Sequence, residues 1–71
     1  MNIDIFMDLM KVATDYRKYK IRSEEARYRM VEILRNAIIE GKLDNEQAQE
    51  LLQFIKTKKA RKIYKKLKSL V

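Results

Sequence analysis

The sequence lacks cysteine, histidine, proline and tryptophan, and it has a single glycine among its 71 residues. Without cysteine the chain cannot form a disulfide or a thiolate metal site. Without histidine it lacks the side chain that ordinarily titrates near neutral pH. The absence of proline and the near absence of glycine leave little to interrupt a helix. We therefore expect an all-α protein.

No motif in the sequence indicates catalysis or cofactor binding. The ten acidic residues are scattered along amphipathic segments. Asp4 and Asp8, the pair closest to a catalytic carboxylate spacing, suit the positive end of a helix dipole. General acid–base catalysis needs a group tuned near neutral pH in a pocket, and there is no glycine-rich phosphate loop or nucleophile motif. We predict a non-enzymatic protein with no cofactor and no metal.

No segment approaches the roughly 18 to 20 apolar residues that a transmembrane helix requires. The run from Ile3 to Met10 carries two aspartates and no basic leader, which does not fit a secretory signal. We expect a cytoplasmic protein. Because so short a chain lies near the lower limit for a self-sufficient core, we also expect a homodimer that adds buried area.

Apolar periodicity predicts three helices, at about 3–20, 24–40 and 45–70. Ser23 followed by two glutamates is a favourable helix start. Gly41 supplies a left-handed stop residue after the second helix, and Asp44 with Gln47 three residues later completes a capping-box pattern. Together these signals predict a helical hairpin around Gly41.

Two features leave the helical architecture open. No breaker residue separates the first two helices, so residues 3–40 could form one helix and the protein two long helices. On a continuous helix at about 100° per residue, the apolar face after Lys59 is turned by roughly 110° from the face before Lys56. The last helix is therefore expected either to bend near Thr57 or to turn its later apolar side away from the core.

Charge divides the chain into residues 1–55 and residues 56–71. The first part carries nine Lys and Arg against ten Asp and Glu, whereas the second carries eight basic residues and no acidic one. We interpret the first as a near-neutral helical core domain and the second as a basic amphipathic C-terminal helix or arm, called the basic arm below. Concentrated charge of one sign attracts anionic partners such as nucleic acid and anionic membranes.

On a helix, the basic arm separates an apolar side from a cationic side. A row of cations matches a phosphate backbone, because each neutralised phosphate releases counterions. Lysine outnumbers arginine here, which suits sequence-indifferent charge contacts better than bidentate reading of guanine. The predicted nucleic-acid contacts of the basic arm are Lys58, Lys59, Arg61, Lys62, Lys65, Lys66 and Lys68.

A second basic cluster mixes cations with tyrosines between Tyr16 and Arg29. Tyrosine rings can stack on unpaired bases while neighbouring cations hold phosphates. The same tyrosines could instead pack at the margin of the core, with the cations solvated. We predict a second nucleic-acid contact surface formed by Arg17, Lys18, Lys20 and Arg22.

The same segment also allows a strand, because Lys18, Lys20 and Arg22 alternate with Tyr19 and Ile21 ahead of a helix, a turn and another helix. Over residues 16 to about 57 this order resembles the ribbon-helix-helix fold, in which a two-stranded ribbon from a dimer enters the major groove. The resemblance implies that the three cations read bases. The turn after the second helix departs from the compact Gly-x-Ser form of that fold.

The sequence thus predicts a small DNA- or RNA-binding protein with an accessory or regulatory role. The alternative is a helical interaction module or adaptor that forms a homo-oligomer, in which Met7, Met10 and the apolar side of the basic arm dock on a protein partner. Membrane-surface binding by the amphipathic arm is a further alternative. The arm lacks the tryptophan or phenylalanine that would anchor it there.

Overall fold

In the computed structural model, residues 3–69 are described, and residues 1–2 and 70–71 of the predicted core domain and basic arm lie outside that range. The described chain forms four helices and no strand, so the all-α class is confirmed and the predicted count of three is corrected. The helices are α1 (Ile3–Arg17), α2 (Ser23–Ile39), α3 (Asn45–Thr57) and α4 (Ala60–Ser69).

The first helix ends at Arg17 rather than near residue 20, although no proline or glycine interrupts it. Tyr19 adopts the left-handed backbone conformation, with φ 62°. The Lys20 amide donates a 2.9 Å hydrogen bond to the Asp15 carbonyl, as in a Schellman motif built on glycine. Folding back lets the apolar faces of α1 and α2 bury each other. The alternative of a single helix over residues 3–40 is therefore wrong.

The ribbon-helix-helix alternative is also wrong, because residues 18–22 form a turn and not a strand. A ribbon requires an extended run that pairs with a second chain. Here the Schellman motif reverses the chain, and Ile21 packs partly buried against the core. Lys18, Lys20 and Arg22 are exposed in this turn and do not form the reading face of a strand.

Gly41 ends α2 as the sequence predicts, and the helical hairpin around it is confirmed. Its φ is 71°, and the Lys42 amide donates to the Ala37 carbonyl, which completes a second Schellman motif. The predicted caps differ in detail. Ser23 is the first residue of α2 rather than its cap, and Asp44 occupies the N-cap of α3 without a side-chain capping bond.

The predicted helix over 45–70 is two helices, separated at Lys58, whose backbone is extended. The rotation of the apolar stripe explains the break near Thr57, because a straight helix could not bury both halves of the stripe in one core. With the break, α3 and α4 both face inward. Their buried residues are Ala48, Leu52 and Ile55 in α3 and Ala60, Ile63 and Leu67 in α4.

All four helices contribute to one hydrophobic core. α1 packs mainly on α2 and α4, and α2 packs on α3 as well. Ile63 and Leu67 of the basic arm therefore lie in the same cluster as the buried residues of the other helices, and Tyr64 packs partly buried against it. The largest fully buried side chains are Leu9, Met30, Leu34, Ile55, Ile63 and Leu67.

Arg27 of α2 fixes the position of the α3–α4 junction. Its guanidinium donates a 2.8 Å hydrogen bond to the backbone carbonyl of Lys58, the C-cap residue of α3. A cation is favourable there because the last carbonyls of a helix have no helical partner. The two residues are 31 positions apart in the chain, so periodicity could not indicate the contact.

We expect an Arg27→Met variant to be destabilised by about 1 kcal/mol, because the Lys58 carbonyl loses a charged donor while most of the apolar volume is retained. The buried Nε of Arg27 has no hydrogen-bond partner among residues 3–69. Because the substitution also removes this unpaired polar group, the loss of stability is limited. The control is Arg29→Met, whose guanidinium makes an exposed 3.4 Å ion pair with Glu25. Such a pair contributes about 0.5 kcal/mol or less. Urea unfolding measures the free energy of unfolding of both variants. Equal losses of stability would contradict the role given to Arg27.

Candidate nucleic-acid interface

The path of the chain brings the two predicted basic segments to one end of the bundle. α1 runs to the turn at residues 18–22, α2 runs back, and α3 returns to the junction at residues 58–59. The hydrogen bond from Arg27 to the Lys58 carbonyl shows that the start of α2 and the end of α3 are adjacent. This surface, formed by the last turn of α1, the α1–α2 turn, the α3–α4 junction and α4, is called the basic end below.

Contacts between aromatic and basic side chains join the α1–α2 turn to α4. The Arg17 guanidinium carbon lies 5.3 Å from the centre of the Tyr64 ring, which is a cation–π distance. A recess of about 340 Å³ opens beside this pair. The recess is lined by Tyr16, Arg17, Tyr19, Arg61 and Tyr64. Residues from both predicted contact surfaces therefore meet at one place.

The cations of α4 cover the whole side that is turned away from the core. Lys62 and Lys65 are exposed on that side. At its edges, Lys68 Nζ lies 5.9 Å from the Tyr64 ring centre, and Lys66 Nζ lies 5.6 Å from the Phe54 ring centre. The cationic surface thus extends from the flank that faces α1 to the flank that faces α3.

Every predicted contact residue is exposed in the structure. Ion pairs within residues 3–69 join Arg29 to Glu25 and Lys42 to Glu40, so no internal carboxylate neutralises the predicted contacts in this part of the chain. The exposed set comprises Arg17, Lys18, Lys20, Arg22, Lys58, Lys59, Arg61, Lys62, Lys65, Lys66 and Lys68.

The opposite end of the bundle is acidic. There Glu40 raises the pKa of Lys42, first through a 2.8 Å hydrogen bond and then through its charge, and Asp4 and Asp8 add smaller charge effects. The start of α1 lies at this end because α1 and α2 pack as neighbours joined by the turn at the basic end. Further acids follow at the start of α3. Charge of opposite sign is therefore concentrated at the two ends of the bundle.

Tyr64 is absent from the predicted contact residues, because periodicity assigns it to the apolar side of the basic arm. In the structure its ring is partly buried, and it makes cation–π contacts with both Arg17 and Lys68. Its place at the edge of the apolar stripe, next to lysines, is a signal that could have identified it. The arrangement combines exposed cations with aromatic rings.

Other possible sources of a functional assignment are limited. Residues 3–69 contain no cluster of three or more His, Cys, Asp or Glu side chains placed to hold a metal ion. None of the four helices described has the length and apolar content of a membrane span. The chain matches no protein-family model, and comparisons with curated proteins and solved structures found no significant match.

Proposed function

We propose that this protein binds DNA or RNA through the basic end and acts without catalysis, as an accessory or regulatory factor of the cytoplasm. The observation that supports this most strongly is that the two segments carrying eleven exposed cations meet at the recess beside Arg17 and Tyr64. Two segments far apart in the chain supply them. Phosphate contacts of this kind provide affinity and position, and lysine-rich ones carry little sequence information.

A merely solvated basic face explains this charge distribution less well. Surfaces built for solubility intersperse cations and anions. The basic arm has eight cations and no carboxylate, and Glu24 and Glu25 lie beside the cations of the α1–α2 turn instead. Bringing so many like charges together raises the electrostatic energy of the folded state unless an external polyanion offsets it.

The packing of α4 weakens the membrane alternative. An interfacial helix binds a bilayer by burying its apolar face in the lipid. In α4 that face is already used, since Ile63 and Leu67 are each 1% exposed. The same packing leaves Ile63 and Leu67 without exposed surface for docking on a protein partner.

One observation, on α1, supports the alternative of a helical interaction module. Ile3 and Met7 lie one turn apart and are 71% and 61% exposed, whereas Met10 packs partly buried on the core. Single exposed apolar side chains are ordinary, whereas adjacent ones on one helix face, as here, form the kind of patch that marks interaction sites. We propose that the expected homodimer forms through this side of α1, which leaves the basic end free for nucleic acid. Sedimentation equilibrium measures the dimer directly.

The proposed function is tested by the salt dependence of binding. If about five cations contact phosphates, log K should fall against log salt with a slope of about −4 to −5. Fluorescence anisotropy of a labelled nucleic acid should then show about a thousandfold loss of affinity between about 50 and 300 mM salt. Phosphatidylglycerol vesicles serve as the comparison for the membrane alternative. Weak binding with a shallow slope would overturn the proposal.

A further inference from the structure

The recess between the α1–α2 turn and α4 has the composition of a base-binding site. Its lining consists of three tyrosines and two arginines, with no carboxylate among the five. Its volume of about 340 Å³ lies at the lower end of the range for small-ligand sites. Aromatic rings supply flat apolar surfaces, and guanidinium groups supply both charge and stacking planes.

Tyr19 occupies the left-handed position of the α1–α2 turn, where glycine would avoid the backbone strain. Its φ of 62° lies in the left-handed region, where a bulky side chain costs about 1 to 2 kcal/mol. The residue is 94% exposed, so the ring gains almost no burial in return. The chain reversal requires the left-handed backbone but not a tyrosine, and a bulky residue kept at such a position without burial of its ring is a candidate for a binding role. The turn thereby holds an aromatic ring at the edge of the recess.

The other side of the recess is organised by the cation–π pair between Arg17 and Tyr64, at 5.3 Å. This pair limits the freedom of both side chains before any ligand binds, which reduces the entropy lost on binding. Arg61, also in the lining, begins the row of cations along α4. A ligand with a flat ring in the recess could therefore place an attached phosphate on α4.

We propose that the recess is a base-stacking site for single-stranded nucleic acid, with an unpaired base against Tyr19 and its phosphates on Arg61 and the α4 lysines. Stacking on aromatic side chains contributes about 1 to 3 kcal/mol per base. Bases of a duplex are already stacked on their neighbours, so a duplex gains only the phosphate contacts. The inference rests on the proposed function and names the strand state that the basic end prefers.

The course of the strand follows from the neighbouring surface. A wider depression of about 1070 Å³ shares Tyr16 and Tyr19 with the recess, and its lining pairs the cations Lys20 and Arg22 with the carboxylates of Glu24 and Glu25. The two carboxylates offset the attraction of the two cations for phosphates, whereas α4 carries no carboxylate. The bound strand therefore runs from Tyr19 towards α4 rather than towards the start of α2.

A Tyr19→Gly variant separates stacking from stability. Glycine adopts φ 62° without strain, so the variant should unfold at the same or a higher urea concentration. Loss of the ring should lower the affinity for oligothymidylate by about 5- to 100-fold. Affinity for a duplex should stay within about twofold, since phosphate contacts are unchanged. Because the two effects have opposite signs, unfolding cannot account for the lost affinity.

The matched control is Tyr28→Ala, which removes an exposed tyrosine of α2 whose hydroxyl donates to Glu32. It should leave the affinity for oligothymidylate within about twofold of wild type. A second readout is direct, because the chain has four tyrosines and no tryptophan. Oligothymidylate should quench the tyrosine fluorescence of the wild type, and Tyr19→Gly should reduce that quenching.

The outcomes distinguish the site from the proposed function. Selective loss of single-strand affinity in Tyr19→Gly supports the stacking site. Equal losses for single strand and duplex, or no loss for either, overturn it, and if the wild type keeps its steep salt slope the proposed function stands. If the wild type binds neither nucleic acid with a steep salt slope, the proposed function fails, and the stacking site fails with it.

Discussion

An Ile63→Asp variant is expected to be largely unfolded at room temperature. Ile63 is 1% exposed and lies in the core shared by the four helices. Burying a carboxylate without a partner costs several kcal/mol. Loss of the Ile side chain from the core costs about the same amount again. At about 0.05 to 0.15 kcal/mol per residue, the total stability of so short a chain is about 4 to 10 kcal/mol. The substitution therefore removes most or all of it.

Far-UV circular dichroism with thermal unfolding measures this effect. The control is Gln49→Asp, which makes the same change of charge at an exposed position of α3 and should cost about 0.5 kcal/mol or less. If Ile63→Asp keeps native helix content and a cooperative transition near that of wild type, α4 does not pack on the core as described.

The packing of α4 also decides how binding can be tested. Removing residues 56–71 would take Ile63 and Leu67 out of the core, so lost binding in the shortened chain would reflect unfolding. Exposed cations whose side chains touch no ring are the appropriate positions to change. Lys59, Lys62 and Lys65 meet this requirement among the described residues, since the cation–π contacts of α4 involve Lys66 and Lys68.

Replacing Lys59, Lys62 and Lys65 together by glutamine is expected to lower the affinity for nucleic acid by about 100-fold or more at about 100 mM salt. Each phosphate contact contributes about 0.9 to the salt slope, so the slope should become shallower by about 2.7. The helix should stay intact because glutamine and lysine have similar helix propensities. Anisotropy titrations over a range of salt concentrations measure both quantities.

The matched control replaces Lys11, Arg35 and Lys42 by glutamine. These residues are exposed, and Lys42 lies at the acidic end beside Glu40. Both triple variants lower the formal net charge of +7 by three, so any general effect of net charge is the same. We expect the control to lose less than about threefold in affinity. Equal losses in the two variants would show that binding depends on net charge and not on the basic end.

Part of the candidate site could be predicted from local features of the chain. The cations of the basic arm stand out because charge composition is visible directly, and their exposure follows from the apolar period of a helix. The position of Gly41 was equally predictable, since few other residues adopt its conformation at low cost. The recess was not predictable, because it joins Tyr19 to Tyr64 through the folding of α1 onto α4.

The turn at Tyr19 shows why local propensity fails where tertiary packing competes with it. No residue in that segment disfavours a helix strongly enough to end it. The gain from burying the stripes of α1 and α2 against each other exceeds the cost of about 1 to 2 kcal/mol for a tyrosine in the left-handed region. The break is therefore a property of the assembled core.

The sequence by itself determined the helical class, the hairpin at Gly41, the segregation of charge and the polar side of the basic arm, because each depends on composition or on spacing within one helix. Only the tertiary structure decided that the chain reverses at Tyr19, that Arg27 holds the end of α3, and that α4 turns its apolar side inward. These features depend on contacts between residues distant in the chain, whose energies no local pattern records. The same contacts bring two separate basic segments together as one surface.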